Sequence, residues 1–271
     1  MGELTCVTLN IWNRFGPWEE RLPRIRDGLR ALDPDIIGLQ EVVMLPEAGF
    51  DQNALISDGL PQTHVAWARC SKNVQPVGNS ILSRFPIKES AAFDLPDGGT
   101  NEHRVMVYAL LDTPYGDVPV FVTHLNWKLD EGHIRVLQVK ELAAIIAVKA
   151  PKACFPPIVM GDFNAEPDSD EMRYLRGLTG LGERCVHFTD CFGATRGAPG
   201  TSADADGFTF ARDNPFALLC HEPNRRIDYV YVRGPDDRGR GEPLASRVCM
   251  NQVTSGGHAS DHYGVWAKIS T

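Results

Sequence analysis

The sequence predicts an α/β protein in which sheets are covered by helices. Three observations carry this expectation. Short β-rich runs recur along the whole chain, at residues 5–9, 36–39, 64–68, 80–82, 105–111, 118–123, 158–160, 227–232 and 265–269. Several are nearly continuous apolar runs, which implies burial on both faces. Helical periodicity falls between them, and covering sheets with helices is the economical way to bury such faces.

The strand at 5–9 leads into a helix at 21–32, where Ile25, Leu29 and Leu32 share a face and Pro23 sits near the first turn. A second helix is expected at 134–148, where Leu137, Glu141, Ala144, Ile145 and Val148 keep 3–4 spacing. A weaker third is expected at 168–178. The stretches 86–101, 193–207, 214–225 and 234–242 read as loops. The first three are long for a compact domain, which makes them candidates for substrate-binding loops. No internal repeat, low-complexity tract or linker interrupts the pattern, so residues 1–271 read as one domain.

Composition narrows the function classes. The chain is 43% hydrophobic and 23% charged, an ordinary globular balance with enough apolar residues for a substantial core. Its formal net charge is −8, and it lacks the basic stripe with which a protein neutralises many phosphates. Arg21, Arg24, Arg26 and Arg30 come nearest, and their spacing reads as the solvated face of a helix. Tight non-specific binding to long nucleic acid is therefore disfavoured. A phosphate substrate is not, because a bound divalent cation reverses the local field. The seven cysteines form no CxxC pair and no Cys/His zinc spacing, so free thiols in a reducing compartment are expected. The N-terminus runs straight into a strand pattern without the features of a secretory signal. The longest apolar stretch, 142–148, is too short to span a bilayer. The expectation is a cytoplasmic monomer without a transmembrane segment.

The chemistry sits at the ends of the apolar runs. The run 5–9 ends in Asn10, 36–39 is followed by Gln40-Glu41, and 118–123 leads to His124-Leu125-Asn126. The run 158–160 ends in Gly161-Asp162-Phe163-Asn164; Arg226-Ile227-Asp228 opens a late strand and Ser260-Asp261-His262 the last. Sheets with antiparallel strands bring ends of some strands and starts of others to one edge, so these groups can share a rim. That rim would gather Glu41, Asp162 and Asp261 as carboxylates, Asn10, Asn126 and Asn164 as amides, and His124 and His262 as imidazoles. Mg²⁺ or Mn²⁺ takes such oxygen ligands, usually one or two carboxylates plus waters and substrate phosphate. A cation there would polarise a phosphoryl oxygen, activate a water and stabilise the departing oxygen. The imidazoles and the remaining carboxylate would then move protons and contact the phosphate.

Taken singly, each residue has a plainer reading. Asn10 after a strand is commonly a turn former, Glu41 a solvated strand end, and Asp162 with Asn164 an Asx turn. Asp228 could pair with Arg225 or Arg226, Ser260-Asp261-His262 could cap the last strand, and His124 could be a satisfied core histidine. Arg104 could be a surface charge with Glu102 as its partner. Trp12 and Trp127 could stack a base or floor an apolar pocket, or simply pack in the core. The ordered set along the chain is what outweighs these readings.

That set resembles the endonuclease/exonuclease/phosphatase superfamily, the group related to deoxyribonuclease I. The matching pieces are Thr8-Leu9-Asn10-Ile11, Leu39-Gln40-Glu41-Val42, Gly78-Asn79-Ser80-Ile81-Leu82-Ser83, Thr123-His124-Leu125-Asn126, Gly161-Asp162-Phe163-Asn164, Arg226-Ile227-Asp228-Tyr229 and Ser260-Asp261-His262. They span nearly the whole chain. The resemblance implies a four-layer α/β/β/α sandwich of two mixed sheets. It implies Glu41 as the principal metal carboxylate, with Asn10 and Asp261 near it. It implies that Asp162 and Asn164 handle the attacking water and the phosphate, that His262 pairs with Asp228, and that His124 is the family's second histidine. Arg104 and Asn126 are the expected substrate contacts. The abasic-site endonuclease branch usually carries Tyr-Val-Pro-Asn where this chain has Thr-His-Leu-Asn, which argues against that repair activity.

The resulting expectation is a metal-dependent phosphoesterase that hydrolyses a phosphodiester or phosphomonoester. Its substrate would be a small phosphodiester, a lipid head group, or single-stranded or short nucleic acid. A catalytically silent binding module of the same fold is the alternative; a silent relative should have lost ligands, and here every motif position is filled by a competent residue.

Overall fold

The computed structural model describes residues 2–150, 154–182, 185–197, 206–253 and 256–271. In chain order the first strands are β1 (Glu3–Asn10), β2 (Ile36–Leu45), β3 (Phe50–Asp51), β4 (His64–Ala68), β5 (Val77–Ser83), β6 (Ile87–Asp94) and β7 (Val105–Thr113). They are followed by β8 (Gly116–His124), β9 (Ile158–Asp162), β10 (Thr189–Asp190), β11 (Asp228–Val232), β12 (Pro243–Cys249) and β13 (Gly264–Ser270). One mixed sheet runs β12-β13-β1-β2-β5-β4, with β3 attached to β2; the other runs β10-β11-β9-β8-β7-β6.

Side chains alternate across each strand, and here both faces are apolar. Cys6 of β1, Ile36 of β2, Val120 and Val122 of β8, Ile158 and Met160 of β9, and Val230 of β11 point into one shared layer between the sheets. Their neighbours point outward: Val7, Leu9, Ile37 and Leu39 from the first sheet, and Phe121, Val159, Tyr229 and Tyr231 from the second. The near-continuous apolar runs thus record two buried faces. Burying one such side chain contributes about 1.5–3 kcal/mol relative to exposure. A slip of one residue would exchange the two sets, so packing fixes the register.

Helix α1 (Trp18–Leu32) covers the first sheet with Ile25 and Leu29. The short α2 (Gln52–Ser57) is capped by Asp51, which accepts from the backbone of Asn53 and Ala54. The second sheet is covered by α3 (Gly132–Lys149) and α4 (Asp170–Leu175), followed by the single turns α5 (Cys191–Ala194) and α6 (Pro215–Leu218). The result is the expected α/β/β/α sandwich of two mixed sheets. Among the described residues no helix is long and apolar enough to cross a membrane, and all seven cysteines are free.

Several local expectations change. Half of the stretch 86–101, expected as a loop, is the edge strand β6; its Lys88-Glu89-Ser90 segment hides the alternation, as charged edge strands do. The edge strand β12, opening at Pro243, was likewise hidden. Of the expected loop 193–207, residues 198–205 lie outside the described residues. Helix α3 buries Ile134, Gln138, Val139, Leu142, Ala143 and Ile146, not the Leu137–Val148 stripe: Leu137 and Val148 are exposed. The two stripes lie side by side on a helix apolar nearly all round, so spacing alone does not select one. Helix α1 starts at Trp18, which puts Pro23 inside it. Arg21 and Arg24, expected in solvent, are buried.

Candidate active site

Strand register delivers the site. The parallel strands β8 and β9 pair His124 with Asp162, and the antiparallel strands β9 and β11 pair Asp162 with Asp228. Close approach of β8 and β9 requires Gly161: its φ is 148°, and a Cβ there would stand 2.0 Å from the Thr123 carbonyl oxygen. In the first sheet Asn10 pairs with Gln40. Because β13 runs antiparallel to β1, the Ser260-Asp261-His262 turn arrives beside Asn10, and the Ser260 hydroxyl donates to the Asn10 carbonyl at 2.7 Å. Glu41 reaches the same rim through an irregularity. The β2–β5 register shifts between Leu39 and Val42, and Glu41 has a φ of 62°. A bulge re-aims a side chain out of strand alternation, and left-handed backbone at a non-glycine residue costs about 1–3 kcal/mol.

Asp162 stands at the centre, nearly solvent-free. Its Oδ2 accepts from Asn10 Nδ2 at 3.0 Å and lies 3.4 Å from His124 Nε2 and 3.7 Å from His262 Nε2. Its Oδ1 accepts from the Asn164 backbone N–H at 2.9 Å. On the far side of His262, Nδ1 donates to Asp228 Oδ2 at 3.0 Å. Asn10 Nδ2 also donates to Glu41 Oε1 at 3.3 Å, and the Ser260 hydroxyl lies 3.1 Å from Asp261 Oδ1.

The charges divide the groups by role. Burial works against a proton on His262, but Asp228, Asp162 and Asp261 outweigh it and hold the ring well above its ordinary pKa, as an imidazolium. Burial and then the nearby Arg104 charge push His124 down to about 3, so it is neutral. Burial raises the Asp162 carboxyl, yet the two histidines, Asn10 and Asn164 bring it below its ordinary value. Burial and then the Asp261 charge push Glu41 up to about 7. Asp261 is raised as well, first by burial. Two crowded carboxylates, Glu41 and Asp261, are oxygen donors of the kind that a hard divalent cation fits. The ligand atoms of Asp162, Asp228 and His262 also lie within 4.8 Å of one another. Within that trio His262 and Asp228 are already joined by a hydrogen bond.

A cavity of about 400 Å³ has Asn10, Glu41, Asp162, Asn164, Asp261 and His262 in its wall, with Asp228 behind it. A second cavity of about 410 Å³ adjoins it and shares Phe15, Glu41, Arg104, His124 and Trp127. Trp127 is 53% exposed and stands at the mouth, so packing in the core does not account for it. Trp12 also lines the first cavity, packed between Phe15 and Phe216 with ring centroids 6.3 and 5.0 Å away.

Most of the expected site residues meet on this rim, and two take different roles. Asn10 turns its nitrogen toward Glu41 and Asp162 while its Oδ1 accepts the Trp12 N–H at 3.0 Å. Here its nitrogen, not the oxygen expected as a metal ligand, faces the carboxylates. Asn126 is fully buried outside both cavities: its Nδ2 donates to Glu131 at 2.9 Å and its Oδ1 accepts from Gln138 at 2.7 Å. It shapes the turn that carries Trp127 and makes no wall of the cleft. Arg104 lines both cavities, with its Nε donating to Glu102 at 2.7 Å. Arg225, which the sequence offers with Arg212 as a plausible phosphate or head-group contact, is buried in the cavity wall, and its Nη2 donates to the Asn164 carbonyl at 2.8 Å. The segment 214–225 therefore borders the cleft, as its length suggested.

Known proteins share this fold. The sequence profile of the Endonuclease/Exonuclease/phosphatase family matches residues 7–262. The chain is 29% identical over 280 residues to YbhP of Escherichia coli K12, covering 97% of this chain and 94% of that protein. The fold is similar to TDP2 of D. rerio, solved in complex with a single-strand DNA product, at 16% identity and a TM-score of 0.76 with 100% of each chain covered. It is also similar to the human Nocturnin catalytic domain with bound sulfate, at 21% identity and a TM-score of 0.72, covering 99% of this chain and 93% of that one. With the profile spanning nearly the whole length and the sandwich and rim in place, the chain belongs to the endonuclease/exonuclease/phosphatase family, whose members are generally hydrolases of phosphoesters.

Proposed function

We propose that the protein is a divalent-cation-dependent phosphodiesterase and that residues 1–271 work as one domain. The observation that carries this reading is that His124, Asp162 and His262 line one cavity with the half-buried Glu41 and the buried Asp261, while Asp228 backs His262 from behind the wall. Glu41 and Asp261 would hold Mg²⁺ or Mn²⁺, which when bound polarises the phosphoryl group and activates water. The imidazolium of His262, fixed by Asp228, places positive charge against the phosphoryl oxygens. Ionised Asp162, between two histidines and fixed by Asn10 and Asn164, is placed to orient water and take its proton. His124 is a neutral hydrogen-bonding partner, so the two imidazoles are not interchangeable. Arg104 and Arg225 line the same cavity and are the arginines offered to the rest of the substrate.

A nuclease acting on single-stranded or short nucleic acid is the second reading. Phe15 and Trp127, both over half exposed at the mouth, favour it, because an aromatic face there can stack a base. A metal-supplemented panel of bis-4-nitrophenyl phosphate, single-stranded and duplex oligonucleotides, sphingomyelin and inositol phosphates tests both. Turnover of the aryl diester is expected, with single strands ahead of duplex if the second reading holds. No turnover of any phosphoester would leave the silent binding module.

The state of Glu41 gives a pH prediction. Its folded pKa, about 7, exceeds its ordinary value of 4.5, so the folded state holds a proton that the unfolded chain has released. Between those two pH values stability contributed by this group falls as pH rises, and above 7 it stays at the lower level. A cation needs the ionised carboxylate, so binding competes with that proton below pH 7. Mn²⁺ should raise the melting temperature more at pH 8 than at pH 6. An equal rise at both values would show that Glu41 does not face the ion.

A further inference from the structure

Among the described residues Arg21 is the largest fully buried side chain, with no solvent exposure. Its guanidinium donates to backbone carbonyls, and they come from two distant segments. Nη1 donates to Ile11 at 2.8 Å and to Ala259 at 3.0 Å. Nη2 donates to Phe15 at 2.8 Å, Trp12 at 3.2 Å and Asn13 at 3.3 Å, and Nε donates to Phe15 at 3.2 Å. The rings of Trp12 and Trp18 lie 4.9 and 5.5 Å from the guanidinium carbon.

Both segments lead directly to the site. Ala259 precedes Ser260, Asp261 and His262. Ile11, Trp12 and Asn13 follow Asn10, and Trp12 and Asn13 are consecutive non-glycine residues with φ of 55° and 48°. Such backbone persists only where its surroundings over-determine it, and Arg21 takes the carbonyls of both residues. The consequence passes to Asn10. The Trp12 N–H occupies Asn10 Oδ1, which leaves Nδ2 for Glu41 and Asp162.

We propose that Arg21 is a positioning residue of the active site: one guanidinium clamps the segment after Asn10 to the segment before Asp261, and so sets how Glu41, Asp162 and Asp261 face one another. The proposal rests on the reading of those carboxylates as a cation and phosphoester site. Lysine keeps the charge, but its three donors on a single nitrogen cannot span five carbonyls on two segments. Methionine or alanine would leave the carbonyls buried without partners, which confounds positioning with unfolding.

The test compares Arg21→Lys with Ile25→Ala, a core truncation one turn along the same helix that makes no polar contact with the site. Three readouts are taken well below both melting temperatures: Mn²⁺ affinity from free-ion electron paramagnetic resonance, kcat and KM on bis-4-nitrophenyl phosphate, and melting temperature. Arg21→Lys is expected to weaken Mn²⁺ binding at least tenfold and to lower kcat by a similar factor. Ile25→Ala should lose melting temperature while keeping both. Equal affinities and kcat values in the two variants would overturn the proposal and make Arg21 a stabilising side chain only. Wild-type protein that binds no Mn²⁺ would instead sink the cation reading, and the kcat comparison would then decide the role of Arg21 by itself.

Discussion

Replacing His262 with alanine should lower turnover by about 10²–10⁴-fold at saturating cation, the usual range for losing one acid–base group. His262 is the imidazolium of the rim, held in that state by Asp228, Asp162 and Asp261 against the cost of burial. Alanine removes both the positive charge against the phosphoryl oxygens and the neighbour of Asp162. Asp228→Asn should give a smaller loss, because asparagine can keep a contact with Nδ1 but not the charge that stabilises the imidazolium. The pair works as a unit through its 3.0 Å hydrogen bond, so the double variant should be no slower than His262→Ala alone. Additive losses would dissolve the pair. Circular dichroism of each variant separates chemistry from unfolding.

Glu41→Gln should be comparably damaging for a different reason. Glutamine keeps the shape, and its nitrogen or oxygen can still meet Asn10, but the charge is gone. Removing a group that stabilises developing charge typically costs about 10²–10³-fold in turnover. The divalent-cation affinity should fall with it. Stability should move the other way: the raised pKa means that Glu41 destabilises the metal-free fold at neutral pH. A melting temperature at or above wild type, together with weak Mn²⁺ binding, would identify a residue whose charge serves the ion at the expense of the fold. Wild-type affinity in Glu41→Gln would move the cation to other ligands.

The sequence revealed strand cores and the residues at their ends well, and helix faces and edges poorly. Two buried faces produce apolar runs that stand out, so β1, β8, β9 and β11 were legible, and their terminal residues Asn10, His124, Asp162 and Asp228 with them. The edge strand β6 was not, because one side and one edge meet water and its residues alternate weakly. The face of α3 was misjudged because Ala144, Ile145 and Val148 are as apolar as the buried Leu142, Ala143 and Ile146. Site geometry was legible only where register controls it. Periodicity carries no sign that Glu41 lies on a bulge with left-handed backbone, although adjacent polar residues after an apolar run were a usable hint. It also cannot distinguish a solvated arginine from one such as Arg21, whose partners are carbonyls far along the chain. Asn126 shows the converse: a residue inside a recognisable motif that serves the scaffold through Glu131 and Gln138.

The most direct measurement is the initial rate of bis-4-nitrophenyl phosphate hydrolysis by protein stripped with EDTA, before and after adding Mg²⁺ or Mn²⁺, with His262→Ala beside it. The stripped wild type should be silent and should recover on adding either cation, while His262→Ala stays near background under both conditions. Full activity in the stripped protein, or recovery of His262→Ala to the wild-type rate, would contradict a cation-dependent phosphoesterase at this site.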